Sequence, residues 1–129
     1  MAGQPYILVV DDEPDFREIF GAKLSSEGFR VGAAADGPSA LDMMAKEAPD
    51  LVLMDVNMPG MDGATTVIKM RENPATKNIK VAFLTSLGDP REEIQEVNRK
   101  FSQDFGAQGY LKKTDDLDVL VQSIRKFLT

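Results

Sequence analysis

The chain has 129 residues, enough for one domain with a single core. It contains neither Cys nor His, which excludes disulfides, thiolate chemistry, Cys-based zinc sites and imidazole acid–base catalysis, and any metal would have to be a hard cation such as Mg2+, Mn2+ or Ca2+ held by oxygen. A net charge of −6 and the lack of any apolar run near the ~18 residues of a membrane span argue against nucleic acid and membrane as partners, and the polar lead-in at residues 1–5 makes the cytoplasm the expected compartment.

Tyr6–Val10 is a short apolar run that predicts a strand ending at Asp11-Asp12. Pro14 suits the first turn of a helix, Phe16, Ile19, Phe20 and Leu24 follow at helical spacing, and Gly28 stops it. Phe29–Ala34 reads as a second strand. Asp36-Gly37-Pro38 opens a helix whose apolar face is Leu41, Met44, Ala45 and Ala48, closed by Pro49. Leu51–Met54 is the third strand, and Asp55 stands at its end before a turn rich in Pro and Gly. A third helix covers Ala64–Glu72 with Val67, Ile68 and Met70 facing in, and Asn73-Pro74 breaks it. Val81–Leu84 is the fourth strand, ending at Thr85-Ser86. Pro90 opens a helix with Glu92 and Glu93 in its first turn and Ile94, Val97, Phe101 and Phe105 as its stripe. Gly109–Leu111 is a fifth strand ending at Lys112-Lys113. Thr114 or Asp115 is expected to cap a last helix faced by Leu117, Leu120, Val121, Ile124, Phe127 and Leu128.

Strict alternation of apolar strands with amphipathic helices predicts an α/β fold: a doubly wound five-stranded parallel sheet with five helices, in one domain over residues 1–129. In that topology the residues just after each strand share one sheet edge, where ligands bind. Asp11 and Asp12, Asp55, Thr85, and Lys112 with Lys113 would therefore converge. Any one of these has an ordinary explanation: Asp11-Asp12 as helix-start residues, Thr85 as a turn former, the lysines as a solvated pair. Their joint placement is harder to explain that way. Clustered carboxylates raise one another's pKa values unless a cation neutralises them. A hard divalent cation, Mg2+ foremost, would do so and keep open positions for phosphate oxygens. The Lys and Thr suit the oxyanion that arrives with it, and a carboxylate can attack phosphorus to give an acyl phosphate. Asp62 reads as a structural residue of the turn.

The segments Val9-Val10-Asp11-Asp12-Glu13-Pro14, Asp55-Val56-Asn57-Met58-Pro59-Gly60-Met61-Asp62-Gly63, Leu84-Thr85-Ser86 and Gly109-Tyr110-Leu111-Lys112-Lys113 together resemble the receiver domains of two-component response regulators, of the stand-alone, chemotaxis-regulator-like type. The resemblance runs from about Tyr6 to Leu128. It implies a flavodoxin-like fold with strand order 2-1-3-4-5. It implies Asp55 as phosphoacceptor, and Mg2+ held by Asp12, Asp55 and the backbone carbonyl of Asn57, with Asp11 acting through water. It implies Thr85 and Lys113 as phosphoryl contacts and Tyr110 as an aromatic switch coupled to Thr85. Implied partners are a histidine kinase or phosphotransfer protein upstream and an unidentified protein docking through the Leu87–Leu128 region. The expected state is a monomer or a phosphorylation-dependent dimer, with output through protein contacts because nothing beyond Thr129 is present to do chemistry.

Three departures from the family pattern stand out. Thr114 replaces the proline that usually follows the lysine with a cis peptide; a cis bond here would cost ~3–4 kcal/mol, so the Lys113–Thr114 bond is expected either trans with a rearranged loop or cis under strain. The stretch between Thr85 and Lys113 is longer than usual, as either a partner-specific extension or a neutral surface insertion. Leu87, two residues after Thr85, cannot orient water, which implies slow loss of the phosphoryl group. Two other function classes are consistent with the same residues. One is a Mg-dependent phosphatase resembling the haloacid dehalogenase group, whose Asp-x-Asp spacing Asp11-Asp12-Glu13 does not give. The other is a binding module with a vestigial site.

Overall fold

The computed structural model describes residues 3–85 and 106–129. Five strands form one parallel sheet: β1 (Tyr6–Val10), β2 (Arg30–Ala34), β3 (Leu51–Asp55), β4 (Lys80–Thr85) and β5 (Gly109–Lys112), in the order β2-β1-β3-β4-β5. All four pairings are parallel. The described helices are α1 (Pro14–Ser26), α2 (Gly37–Lys46), α3 (Gly63–Glu72) and α4 (Leu117–Leu128). The helix expected to begin at Pro90, with Ser86, Leu87 and the stripe to Phe105, lies outside the described residues.

β3 is buried over its whole length, as a central strand covered on both faces requires. Its alternate side chains feed two separate cores. Ile7, Val9, Leu51, Leu53, Ala82 and Leu84 point to one side, with Phe20 and Leu24 of α1 and Leu120 and Ile124 of α4. Leu8, Val10, Val52, Met54, Val81 and Phe83 point to the other, with Met44 of α2 and Val67 and Met70 of α3. The period of two along each strand makes this division.

The structure corrects several expected helix details. Ile19 is 59% exposed and Ile68 is 41% exposed, so neither joins a core. On α2 the buried residues are Gly37, Ala40 and Met44, while Ala45 and Ala48 face solvent; the helix ends at Lys46, before Ala48 can lie on its face. The last helix is capped by Asp116, whose carboxylate accepts from the Asp118 N–H at 2.8 Å, and not by Thr114 or Asp115. Those two fall instead in a turn closed by the Asp115 N–H donating to the Lys112 carbonyl at 3.0 Å. Elsewhere the start and stop signals hold. Gly28 takes φ of +95° just past α1, the left-handed geometry that ends a helix, and Asp36 and Asp62 cap α2 and α3 through bonds to the N–H groups of Ser39 and Thr65.

Candidate functional site

β1, β3 and β4 end side by side. Val10 is in register with Met54, and Asp55 with Leu84. The chain leaving β1 therefore lies next to the last residue of β3, and Asp11, Asp12 and Asp55 each offer a carboxylate oxygen within 4.8 Å of the others. Asp11 and Asp55 are buried, at 0% and 2% exposure; Asp12 is more open to solvent. A groove of about 380 Å³ lined by Pro49, Asp50, Asn78 and Lys80 lies at the opposite end of the sheet and takes no part in this cluster.

Asp11 is held rigidly. Its N–H donates to the Ala34 carbonyl at 3.1 Å, its carbonyl accepts from Arg17 Nη1 at 2.6 Å, and its Oδ1 accepts from the Glu13 N–H at 2.8 Å. Its Oδ2 lies 2.7 Å from Lys113 Nζ, yet this fully buried atom receives no hydrogen bond of adequate geometry. Asp55 Oδ1 accepts from the Asn57 N–H at 3.1 Å, and its Oδ2 is 3.9 Å from Lys113 Nζ. The loop behind Asp55 is tight: the Val56 N–H donates to the Leu84 carbonyl at 3.0 Å and the Gly63 N–H to the Val56 carbonyl at 3.3 Å. A Cβ on Gly63 would run into the Asp55 carbonyl oxygen, so only glycine lets α3 start this close to β3.

Electrostatics set the state of the cluster. Burial, then repulsion from Asp11, raises Asp55 to about 7; the Asn57 N–H and the Lys113 charge pull it down, and the neighbouring Asp12 carboxyl raises it again. Burial opposes the charge of Lys113, but its close pairing with the Asp11 and Glu13 carboxylates outweighs that and holds its pKa above the usual lysine value. Two buried carboxylates with one ammonium thus remain short of positive charge. Asp11 Oδ2, buried and met by Lys113 without a well-aligned hydrogen bond, and the raised Asp55 pKa both fit a divalent cation, and an all-oxygen donor set suits a hard one.

Thr85 is the buried last residue of β4, and its carbonyl accepts the Lys113 N–H at 2.8 Å, one step beyond the β4–β5 ladder. That bond fixes the backbone of Lys113 opposite Asp55. No peptide among the described residues is cis, so Lys113–Thr114 is trans, and the Lys112–Asp115 turn carries the chain away without a proline. The lysine side chain still reaches the carboxylates and is 6% exposed. Tyr110 pairs with Phe83 and is 38% exposed. Sequence reasoning assigned no role to Glu13, whose Oε1 pairs with Lys113 Nζ; Phe16 packs against the core as its spacing predicts, and its ring also lies 4.7 Å from the same ammonium. Glu13 stands just before, and Phe16 within, the first turn of a helix that starts at the site edge, which is the signal that points to them.

The family profile described as "Response regulator receiver domain" matches residues 7–125. The response regulator PleD of Caulobacter vibrioides is 40% identical over 119 residues, 92% of this chain but 25% of PleD. Sporulation initiation phosphotransferase F of Bacillus subtilis is 36% identical over 122 residues, which cover 95% of this chain and 92% of that protein. The chain thus spans a quarter of the length of PleD and almost all of the second relative. The crystal structure of chemotaxis protein CheY4 of Vibrio cholerae superposes with a TM-score of 0.83 at 30% identity, covering 97% of this chain and 99% of that one.

Proposed function

The chain belongs to the response regulator receiver domain family, and from that premise we propose that Asp55 is the phosphoacceptor of a switch in two-component signalling. The protein is a regulatory switch and not a classical enzyme. The observation that carries the assignment is the position of Asp55: a buried carboxylate at the centre of the sheet edge, raised to about 7 by burial and Asp11, with an ammonium 3.9 Å away. Such a group is stabilised when positive charge arrives and is aimed at an incoming electrophile.

Asp55, Asp12 and the Asn57 carbonyl would hold Mg2+, with Asp11 acting through water. The ion, when bound, supplies positive charge to the equatorial phosphoryl oxygens. The residues do the rest. Asp55 attacks phosphorus; as its P–O bond forms, the bond to the donor breaks and the donor's nitrogen or oxygen keeps the electron pair. Lys113 neutralises charge on a phosphoryl oxygen, and Thr85 contacts another. Tyr110, half-exposed on β5, would report the state of Thr85 at the surface.

The donor would be the phosphohistidine of a histidine kinase or phosphotransfer protein, since this chain has no His. Output would pass to a protein partner through the Leu87–Leu128 region, by a monomer or a phosphorylation-dependent dimer, with residues 1–129 acting as one receiver domain. The test is treatment with acetyl phosphate, and separately with beryllofluoride, each with Mg2+. A stoichiometric adduct on Asp55, absent from Asp55→Asn, is expected. An unmodified wild type under both conditions would identify a binding module with a vestigial site.

A further inference from the structure

Four helices begin at the site edge among the described residues, and three are capped alike. Asp36, Asp62 and Asp116 each turn a carboxylate back onto an N–H of their own helix. Glu13 holds the same position at the start of α1, yet its side chain makes no capping bond. Pro14 follows it, so the first helical residue has no N–H to satisfy. The Glu13 carboxylate instead reaches across the cleft to Lys113, a hundred residues further along the chain.

Lys113 is thereby held from three sides. Asp11 Oδ2 is 2.7 Å away, Glu13 Oε1 pairs with it, and the Phe16 ring centroid lies 4.7 Å from Nζ. Asp55 is reached only at ion-pair range: 3.9 Å is beyond the ~2.7–3.2 Å of a hydrogen bond. An unrestrained ammonium beside a buried carboxylate would close that gap. Once closed, the pair would neutralise the nucleophile and compete with a cation for the same oxygen. With the gap held open, a phosphoryl oxygen has room between Nζ and Asp55 and meets an ammonium already in place.

We propose that Glu13 is a positioning residue which, with Phe16 beneath, holds Lys113 back from Asp55 and so keeps the phosphoacceptor free. The inference rests on the reading of Asp55 and Lys113 given above. Glu13 acts through Lys113 and does not itself touch the phosphoryl group. Its carboxylate is 60% exposed, so its replacement leaves the core intact.

The test compares wild type with Glu13→Gln, using Asp15→Asn as a control that removes a carboxylate from the first turn of the same helix. In Glu13→Gln the maximal rate of phosphorylation by acetyl phosphate is expected to fall about tenfold, as for a misplaced catalytic ammonium, with a smaller change in the half-saturating concentration. Without any donor, the Mg2+ dissociation constant should rise several-fold and the 15N resonance of the Lys113 ammonium should move; neither should happen in Asp15→Asn. In a Lys113→Ala background, Glu13→Gln should have no further effect. A normal rate and an unmoved ammonium in Glu13→Gln overturn the positioning role, as does an equal loss in the Lys113→Ala background, which would mean that Glu13 acts on the metal directly. Wild type that takes up no phosphoryl group fails the Asp55 reading and this inference with it, whereas phosphorylation of wild type and Glu13→Gln at one rate fails this inference alone.

Discussion

Asp55 carries a cost that the rest of the fold must bear. Burial and Asp11 raise it to about 7, well above the ordinary value for an aspartate of ~3.9 in an unfolded chain. Between these two values the folded state holds a proton that the unfolded state has lost. Stability of the metal-free protein therefore falls as pH rises through that window, from about 4 to about 7, and is lowest above it. The difference is on the order of a few kcal/mol. Asp55→Asn removes the titration. In metal-free buffer its thermal midpoint should exceed that of wild type at about pH 8, and the gap should shrink towards about pH 4. A gap that stays constant across the range would show that Asp55 is charged, or neutral, throughout.

At the scale of elements, the loop from Asp55 to Gly63 sets the site. Asp62 caps α3 through the Thr65 N–H at 2.8 Å, and Asp62→Ala should cost about 1 kcal/mol in denaturant unfolding. Gly63→Ala should cost more, about 1–3 kcal/mol, because its Cβ meets the backbone of Asp55 rather than a yielding side chain. It should also slow phosphorylation of Asp55, while Asp62→Ala, whose carboxylate faces solvent, should not; equal rates for the two would mean that the close contact does not position the nucleophile. A second loop prediction concerns Leu87, outside the described residues. Leu87→Glu should shorten the phosphoryl lifetime by supplying a group that orients water, and an unchanged rate of loss would sink that role.

The same elements mark what a sequence can tell. Strands β1 and β3 were legible because central strands are apolar on both faces, and the motifs at their ends placed Asp11, Asp12 and Asp55 on one edge. Helix faces were less so: Ile19 and Ile68 are apolar yet exposed, since spacing alone does not locate the edge of a helix's buried stripe. Lys113 was placed by counting from Tyr110 despite the missing proline, but its partners Glu13 and Phe16 could not be read from spacing. They lie about a hundred residues away in the chain, and their contact depends on how the first turn of α1 faces β5.

At the scale of the molecule, the described helices start with acidic residues and finish with basic ones. Asp36, Asp62 and Asp116 cap helices at the site edge, with Asp15 and Asp118 in first turns. Lys23, Lys46, Lys69, Arg71, Arg125 and Lys126 stand in last turns, and Lys23 reaches Asp118 in an ion pair of 2.6 Å. Each placement suits its own helix dipole, but together they crowd negative charge around the buried carboxylates Asp11 and Asp55. Lys23 and Lys113 offset part of that charge through ion pairs with Asp118 and Asp11, and a cation bound there would relieve the repulsion left among Asp11, Asp12 and Asp55. A ligand bound only by the native state stabilises it by about 2.7 kcal/mol at a hundred times its dissociation constant. Saturating Mg2+ should therefore raise the thermal midpoint by several degrees more than NaCl of equal ionic strength, since salt only screens exposed charges. Asp12→Asn should lose most of this specific rise while keeping the response to NaCl. If Mg2+ and matched NaCl stabilise wild type equally, the acidic edge is only a screened surface and holds no metal.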